Sequence, residues 1–416
     1  MIEKIAMELK KRKENLHQYY YSGIGHVLRK KRLSLNMTQE EVALGICSNT
    51  YLSKIENNQV NVSEEHVYLL LEKMDGNIDD IILPEDLIEF LRQAVKCFFY
   101  LDIDGYKIIY DKVIKYEMSV LVLLISFGYY ILIEDYENSK ITYNEIFRYL
   151  GSLEDYGLSV FFLFGCYFSI GVRNYKDTKA IIDLVESDFR FDDYNFALFH
   201  YCKFLVYGNL ELTTTAFESG NLAKYIFDKH MNINRIREFY IRKEIFKIYD
   251  GQLVEENIRL DIVTNVRDSL RNLYLVVLAS KSDNPQEYLE YMCKEEENYS
   301  LGLFFVAKHY YENGDIEKYK EVLNTINSLH YQIGSKVDYG YILKLIRRND
   351  EFFLKDYLIN YVLSHAQRKC NLYFLRMTTN YISKILHGKK RYKDALSYQL
   401  KLNDFISSLK NRKMLT

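Results

Sequence analysis

The sequence predicts an all-α protein in two unequal parts, a small four-helix unit near the amino terminus followed by a long array of helical hairpins. Three observations predict it. Only two prolines, Pro84 and Pro285, occur in 416 residues, which favours long uninterrupted helices. Apolar residues recur at three- and four-residue spacing along most of the chain. Clusters of Gly, Asn and Asp then interrupt that periodicity at intervals suited to short turns. With 48% hydrophobic content, a chain of this length buries more than one core, and its length predicts two or three domains.

The first element is a helical extension over residues 1–20, where Ile2, Ile5, Leu9 and Leu16 fall at helical spacing among Lys10, Arg12 and Lys13. It reads as a DNA-contacting or dimer-packing segment or, equally, as a frayed leading helix. A compact domain over 21–75 follows. Ile24, Val27, Leu28 and Leu33 build its opening helix, with Arg29, Lys30, Lys31 and Arg32 on and around the exposed side. Thr38 caps a second helix whose first turn carries Gln39, Glu40 and Glu41, where oxygens and negative charge suit the unpaired N–H groups. Val42, Ala43 and Ile46 face inward, and the small Ala43 lets another helix cross closely. Gly45–Ser48 makes a short turn; Ser48 or Asn49 caps a third helix with Leu52 and Ile55 in the core. A Ser63 cap and Val67, Leu70 and Leu71 supply the closing helix.

Residues Thr38–Asn57 are where a chemical task shows. The third helix leaves Asn49, Thr50, Ser53 and Lys54 outward, a set of hydrogen-bonding side chains near a helix amino terminus, as a helix entering the DNA major groove requires. The plainer reading is a capped amphipathic helix pair of an all-helical protein. Charge argues for DNA: residues 1–62 hold ten Lys and Arg against six Glu, while the whole chain stands at −2.

The run IGHVLRKKRLSLNMTQEEVALGICSNTYLSKIENN resembles the helix-turn-helix of Xre-type repressors. Its GICSNTYLSKIEN segment, with a turn one residue shorter than most, resembles the Rgg, PlcR, PrgX and NprR group of peptide-sensing regulators. By position, the resemblance implies phosphate contacts from Gln39, Ser48 and Asn57, base contacts from Asn49, Thr50 and Lys54, and an ion pair of Arg32 with Glu56 tying the first helix to the third. Asn58 departs from the glycine often found there, and Asn tolerates a left-handed cap.

Gly76, Asn77, Asp79, Asp80 and Pro84 mark a linker over 76–86. Beyond it, residues 87–416 read as helix after helix. The clearest pair is LGLFFVAKHYYENGDIEKYKEVLNTI, Leu301–Ile326, folded back at Gly314 and Asp315. Comparable turns are expected at Asn174–Asp177, Gly220–Asn221, Asn349–Asp350 and Lys390–Asp394. The interval of about 35 residues between the turns at Gly314 and Asn349 resembles the tetratricopeptide period. The expectation is a right-handed superhelix of roughly seven to nine degenerate tetratricopeptide-like hairpins, with a non-repeating bundle as the alternative.

Other function classes find little support. Val120–Ile133 is too short and too interrupted for a membrane span and reads as a buried helix, and the charged start lacks an apolar signal core, so a cytoplasmic protein without membrane contact is expected. Six scattered cysteines and nine dispersed histidines show no metal spacing, and no phosphate-loop or nucleophile motif occurs, so neither cofactor, metal nor catalytic residue is expected. Aromatics make up 15% of residues, with 39 Tyr and no Trp. Tyrosine packs its ring between helices and keeps a hydroxyl for a polar partner. A subset on a concave surface would suit a short peptide. In the resembled group inner-helix asparagines hold the peptide, which points to Asn195, Asn234, Asn272 and Asn380, with Arg235, Arg237 and Arg271 as carboxylate partners. The implied partners are double-stranded operator DNA, a short peptide and a second copy in a homodimer; the alternative gives the helical region a protein partner instead.

Overall fold

The structure, a computed structural model, describes residues 24–57, 59–60, 62–76, 84–116, 119–186, 192–249, 265–333, 337–368 and 372–410, with Met7 and Val263 besides. The amino-terminal extension, most of the linker, Asn58 and Cys370 lie outside the described residues. Among these, every regular element is helical. The chain divides into two compact units, residues 1–172 with 177–202, and residues 173–176 with 203–416.

The first unit begins with four short helices, α1 (Ile24–Ser34), α2 (Gln39–Ala43), α3 (Asn49–Glu56) and α4 (Glu64–Lys73). Local side chains set their starts. Thr38 forms a full capping box with Glu41, and the Ser48 and Ser63 hydroxyls accept from the backbone three residues on, at Tyr51 and His66. Gly45, at φ 81, makes the turn between α2 and α3, a backbone region that glycine enters without strain. Leu28, Val42, Ala43, Leu52, Ile55, Val67, Leu70, Leu71 and Met74 then close one small core. Leu33 faces solvent instead.

The same unit continues through α5 (Pro84–Tyr100), α6 (Ile103–Val113), α7 (Val120–Leu132), α8 (Tyr136–Arg148), α9 (Asp155–Gly171) and α10 (Tyr175–Val185) from Asp177 onward, and includes the first half of α11 (Asp193–Asn209). Helices α5 with α6 and α7 with α8 pack as hairpins, and α7 also packs on α5 and α9. Helix α7 is buried on nearly every side, which explains its continuous apolar run. No helix among the described residues is long and apolar enough to cross a membrane. Gly128 lets α7 approach closely: a Cβ there would strike the Tyr106 hydroxyl and the Phe164 ring.

The second unit holds α12 (Thr213–Lys229), α13 (Ile233–Tyr249), α14 (Asp268–Ala279), α15 (Asn298–Glu312), α16 (Ile316–Ile333), α17 (Tyr339–Arg347), α18 (Glu351–Tyr357), a π-helical stretch at Leu358–Leu363, α19 (Ser364–Arg368), α20 (Leu372–Gly388) and α21 (Tyr392–Lys410). Helices α12 with α13, α15 with α16 and α20 with α21 form hairpins. The turn expected at Gly220–Asn221 does not exist, because both residues lie inside α12. Gly220 serves close packing there: a Cβ would fall 2.7 Å from the Phe239 ring and 2.8 Å from the Phe204 ring.

A single joint recurs along the chain. A residue in left-handed conformation ends one helix, and the N–H after it donates to the carbonyl five residues back, satisfying the helix end. Asp102 bonds Cys97, Asp135 bonds Tyr130, Leu212 bonds Tyr207, Asn232 bonds Phe227, Asp315 bonds Tyr310, Asp350 bonds Leu345 and Arg391 bonds Leu386, all at 2.8–3.0 Å. The left-handed residue is glycine only at Gly314; elsewhere it is Leu101, Glu134, Glu211, Met231, Asn349 or Lys390. Asp102, Asp135 and Asp350 then cap the next helix with their carboxylates, so the joint ends one helix and starts another.

Candidate nucleic-acid interface and ligand cavity

Helix α3 is held from behind by a buried ionic cluster. Arg32 on α1 donates from Nε to Glu56 Oε1 at 2.6 Å and from Nη2 to Glu56 Oε2 at 2.9 Å, and its Nη1 reaches the Met37 carbonyl at 2.8 Å. Gln39 on α2 donates from Nε2 to Glu56 Oε2 at 2.8 Å. Glu56 is 1% exposed and Arg32 8%, so three helices meet at one desolvated carboxylate whose oxygens are all engaged. On the other side, the Tyr51 ring meets His66 edge-on at 5.7 Å and fixes α3 against α4.

The outward face of α3 then carries Asn49, Thr50 and Lys54, all exposed. At its start the Ser48 oxygen accepts from the Tyr51 N–H, which leaves the hydroxyl proton to donate outward. Gln39 keeps a second amide proton beside its bond to Glu56. Asn57 donates one side-chain amide proton to the Ser53 carbonyl at 2.7 Å, closing the helix end, and keeps the other. Lys30, one of the α1 cations, sits 3.4 Å from Glu145 on α8, and Lys31 reaches the Asp75 carbonyl at 3.4 Å.

In the second unit a cavity of about 440 Å³ opens among α13, α14, α15, α17, the π-helical stretch and α20. Phe304, Phe305, Ile342, Leu358 and Val362 give it apolar walls, and Tyr249, Tyr339, Tyr381, Thr378 and Asn380 add polar atoms. Lys281, Lys308, Arg376 and Lys384 supply its charge. Burial pushes the Tyr339 and Tyr381 hydroxyls up, so both remain protonated donors at neutral pH.

Of the asparagines and arginines expected to hold a ligand, Asn380 lines this cavity, and its oxygen accepts from Gln399 Nε2 at 3.0 Å. Asn272 is wholly buried, and its amide brackets the Cys293 main chain, donating to the carbonyl at 2.7 Å and accepting from the N–H at 2.9 Å. Asn195, in the first unit, is buried and bonds Asp192. Asn234 is exposed at the start of α13, and Arg237 is half-buried on the same helix; neither lines the cavity. Arg235 is buried against Glu238 at 3.0 Å, and Arg271 pairs with Asp268. The sequence reading missed Lys281, Lys308, Arg376 and Lys384. Arg376 and Lys384 lie about two turns apart on α20, Lys308 on α15 and Lys281 just past the end of α14, so no single local pattern joins all four.

Comparison with known families finds the helix-turn-helix family (HTH_3) over residues 28–81. The amino-terminal module is a helix-turn-helix DNA-binding domain. Its second and third helices are α2 and α3, and the Arg32–Glu56–Gln39 cluster is what orients the exposed row of α3. Among solved structures, the apo quorum sensor NprR from B. thuringiensis aligns over 77% of this chain and 99% of its own at 12% identity, with a TM-score of 0.53. A Rap protein complexed with competence and sporulation factor aligns over 79% of this chain and 100% of its own, also at 12% identity, with a TM-score of 0.59. These two share the helical fold of the part of the chain they align with. No curated protein matches the sequence.

Proposed function

We propose that the chain is a transcriptional regulator whose α3 reads an operator and whose second-unit cavity binds a short peptide that controls operator binding. Asn49, Thr50 and Lys54 read bases, while Ser48, Gln39 and Asn57 position the helix on phosphates. The observation that carries the DNA half is the geometry of α3: a row of exposed hydrogen-bonding side chains on a helix whose back is fixed by a buried carboxylate that accepts three hydrogen bonds from Arg32 and Gln39. The peptide half rests on the cavity, with its apolar walls, polar side chains and cationic groups, in a fold shared with a quorum sensor. Within the cavity Asn380 is the amide best placed for a peptide main chain.

Operator reading by a symmetric dimer requires two copies of α3 about 34 Å apart. Peptide controls DNA affinity if it binds one dimer geometry more tightly than the other, a coupling of about 1–3 kcal/mol. Titration calorimetry of the full chain with peptide, with operator DNA, and with both measures that coupling. Peptide binding that leaves DNA affinity and assembly unchanged rejects the mechanism. For the reading face, Lys54→Ala should flatten sequence preference in selection from random DNA, at about 1–3 kcal/mol per lost base contact. Unchanged affinity and preference would move the reading face elsewhere.

A second reading, in which the helical region binds a protein, draws on exposed apolar side chains: Leu222 and Tyr225 late in α12, and Met231 and Ile233 in and after the following turn, are exposed, Tyr225 at 70% and Met231 at 81%. Tyr225→Ser with Met231→Ser abolishes control under that reading and leaves it intact under the peptide reading.

A further inference from the structure

We infer that the second-unit cavity selects its peptide by carboxylate charge, with Lys281, Lys308, Arg376 and Lys384 as counter-charges and the Phe304 side of the wall taking an adjacent apolar side chain. The inference rests on the peptide reading above and adds the ligand's chemical class. Four cations line the cavity and no Asp or Glu does, among the described residues. Two of the four are balanced by acids outside the lining. Lys308 lies 3.2 Å from Glu312 one turn along α15, and Arg376 holds Glu211. Neither Lys281 nor Lys384 has a carboxylate within ion-pair distance among the described residues, so the cavity keeps an excess of positive charge.

The Arg376 geometry leaves room for a second anion. A guanidinium carries five N–H donors, and Glu211 takes one from Nε and one from Nη2. Nη1 therefore remains for a ligand oxygen without breaking the protein pair. A volume of about 440 Å³ falls in the range of small-ligand sites and exceeds what a bare inorganic anion fills. Apolar walls at Phe304, Ile342 and Val362 demand a side chain beside the charge. A peptide ending in a free carboxylate, or one carrying Asp or Glu, meets both demands, and a cationic peptide is repelled.

The test exposes the full chain to three synthetic heptapeptide mixtures and quantifies retained peptides by mass spectrometry. One mixture contains acidic residues and amidated ends, one has free carboxyl ends without acidic residues, and one has neither. Either carboxylate-bearing mixture should be retained about tenfold or more over the third, as expected for a charge-assisted hydrogen bond. Which of the two is retained tells a side-chain carboxylate from a terminal one. The double variant K281Q/K384Q alters two exposed side chains, keeps the circular dichroism and melting of the parent, and should lose that preference. Equal retention of all three mixtures overturns the charge selection and leaves the peptide reading standing. Retention of none overturns the peptide reading and this inference with it. A carboxylate preference that K281Q/K384Q leaves intact places the anion outside the cavity and overturns the assignment.

Discussion

Arg376 on α20 grips both carboxylate oxygens of Glu211, 165 residues earlier, with Nε to Oε1 at 2.8 Å and Nη2 to Oε2 at 2.5 Å. The pair joins the α11–α12 turn to the α20–α21 hairpin within the second unit, where Glu211 is the more enclosed partner, its side chain 11% exposed against 41% for Arg376. Removing each partner therefore has unequal results. Arg376→Ala removes two charge-assisted hydrogen bonds from the enclosed carboxylate and should cost about 1–3 kcal/mol in urea unfolding. Glu211→Ala leaves a guanidinium that reaches water and should cost less than 1 kcal/mol by the same principle, about that of an exposed pair. The double variant should be no less stable than Arg376→Ala alone. Equal single losses would show that the pair's burial is not what makes it matter.

The helix-turn-helix core depends on Glu56 in a different way. Glu56→Ala strands Arg32 in the core without its carboxylate and should destabilise the domain by about 3–5 kcal/mol. Because that is comparable to what a small core supplies, DNA binding by this domain should be lost while the far-ultraviolet dichroism of the helical array persists. Amide hydrogen exchange over α1 to α4 reads the loss directly, and retained protection there contradicts it.

Acid should loosen the α2 cap. The Thr38 main-chain and side-chain hydrogen bonds hold the Glu41 carboxyl below its ordinary value of 4.5. A lowered folded value means the capping contribution is fully present above that unfolded value and is lost as pH falls through the folded one. Amide exchange in α2 should rise as pH falls below about 4.5 beyond the intrinsic acid trend, the unfolded value that sets the window. Glu41→Gln should remove that extra rise. An identical profile in the variant would assign the effect to another group.

Two glycines make opposite predictions for alanine. Gly128→Ala drives a methyl into the Tyr106 hydroxyl and the Phe164 ring and should lower stability by about 1–3 kcal/mol. Gly388, the last residue of α20, has open space around a built Cβ, and alanine there should raise stability by about 0.4–1 kcal/mol by restricting the unfolded chain. Thermal melting of both variants separates close packing from chain entropy.

The sequence made some of these features visible and hid others for physical reasons. The helix-turn-helix was legible because its signals are local: Thr38, Ser48 and Ser63 each cap a backbone group three residues away, and the core residues follow helical spacing. Turns at Gly314 and Asn349 were legible through residue types that favour left-handed backbone. Those at Leu101, Glu134, Glu211 and Met231 carry no such signal, since ordinary side chains occupy the strained position. Gly220 misled in the opposite sense: its missing side chain serves the approach of Phe204 and Phe239 rather than a turn. The cavity was hidden most completely, because Lys281, Lys308, Arg376 and Lys384 converge only once the helices pack. Asn272, conspicuous as a polar residue on an apolar helix, is spent on the Cys293 main chain.

The recurring joint bears on how far such a sequence can drift. At Leu101, Glu134, Glu211, Met231 and Lys390 the bend is secured by a main-chain N–H and a main-chain carbonyl, groups that substitution does not remove unless proline enters. Each left-handed side chain costs about 1 kcal/mol, and the bonds that finish the helix offset it. An architecture articulated through its backbone can exchange nearly all its side chains at the corners and still bend in the same places. That is a physical route to a fold shared at 12% identity with proteins it covers end to end.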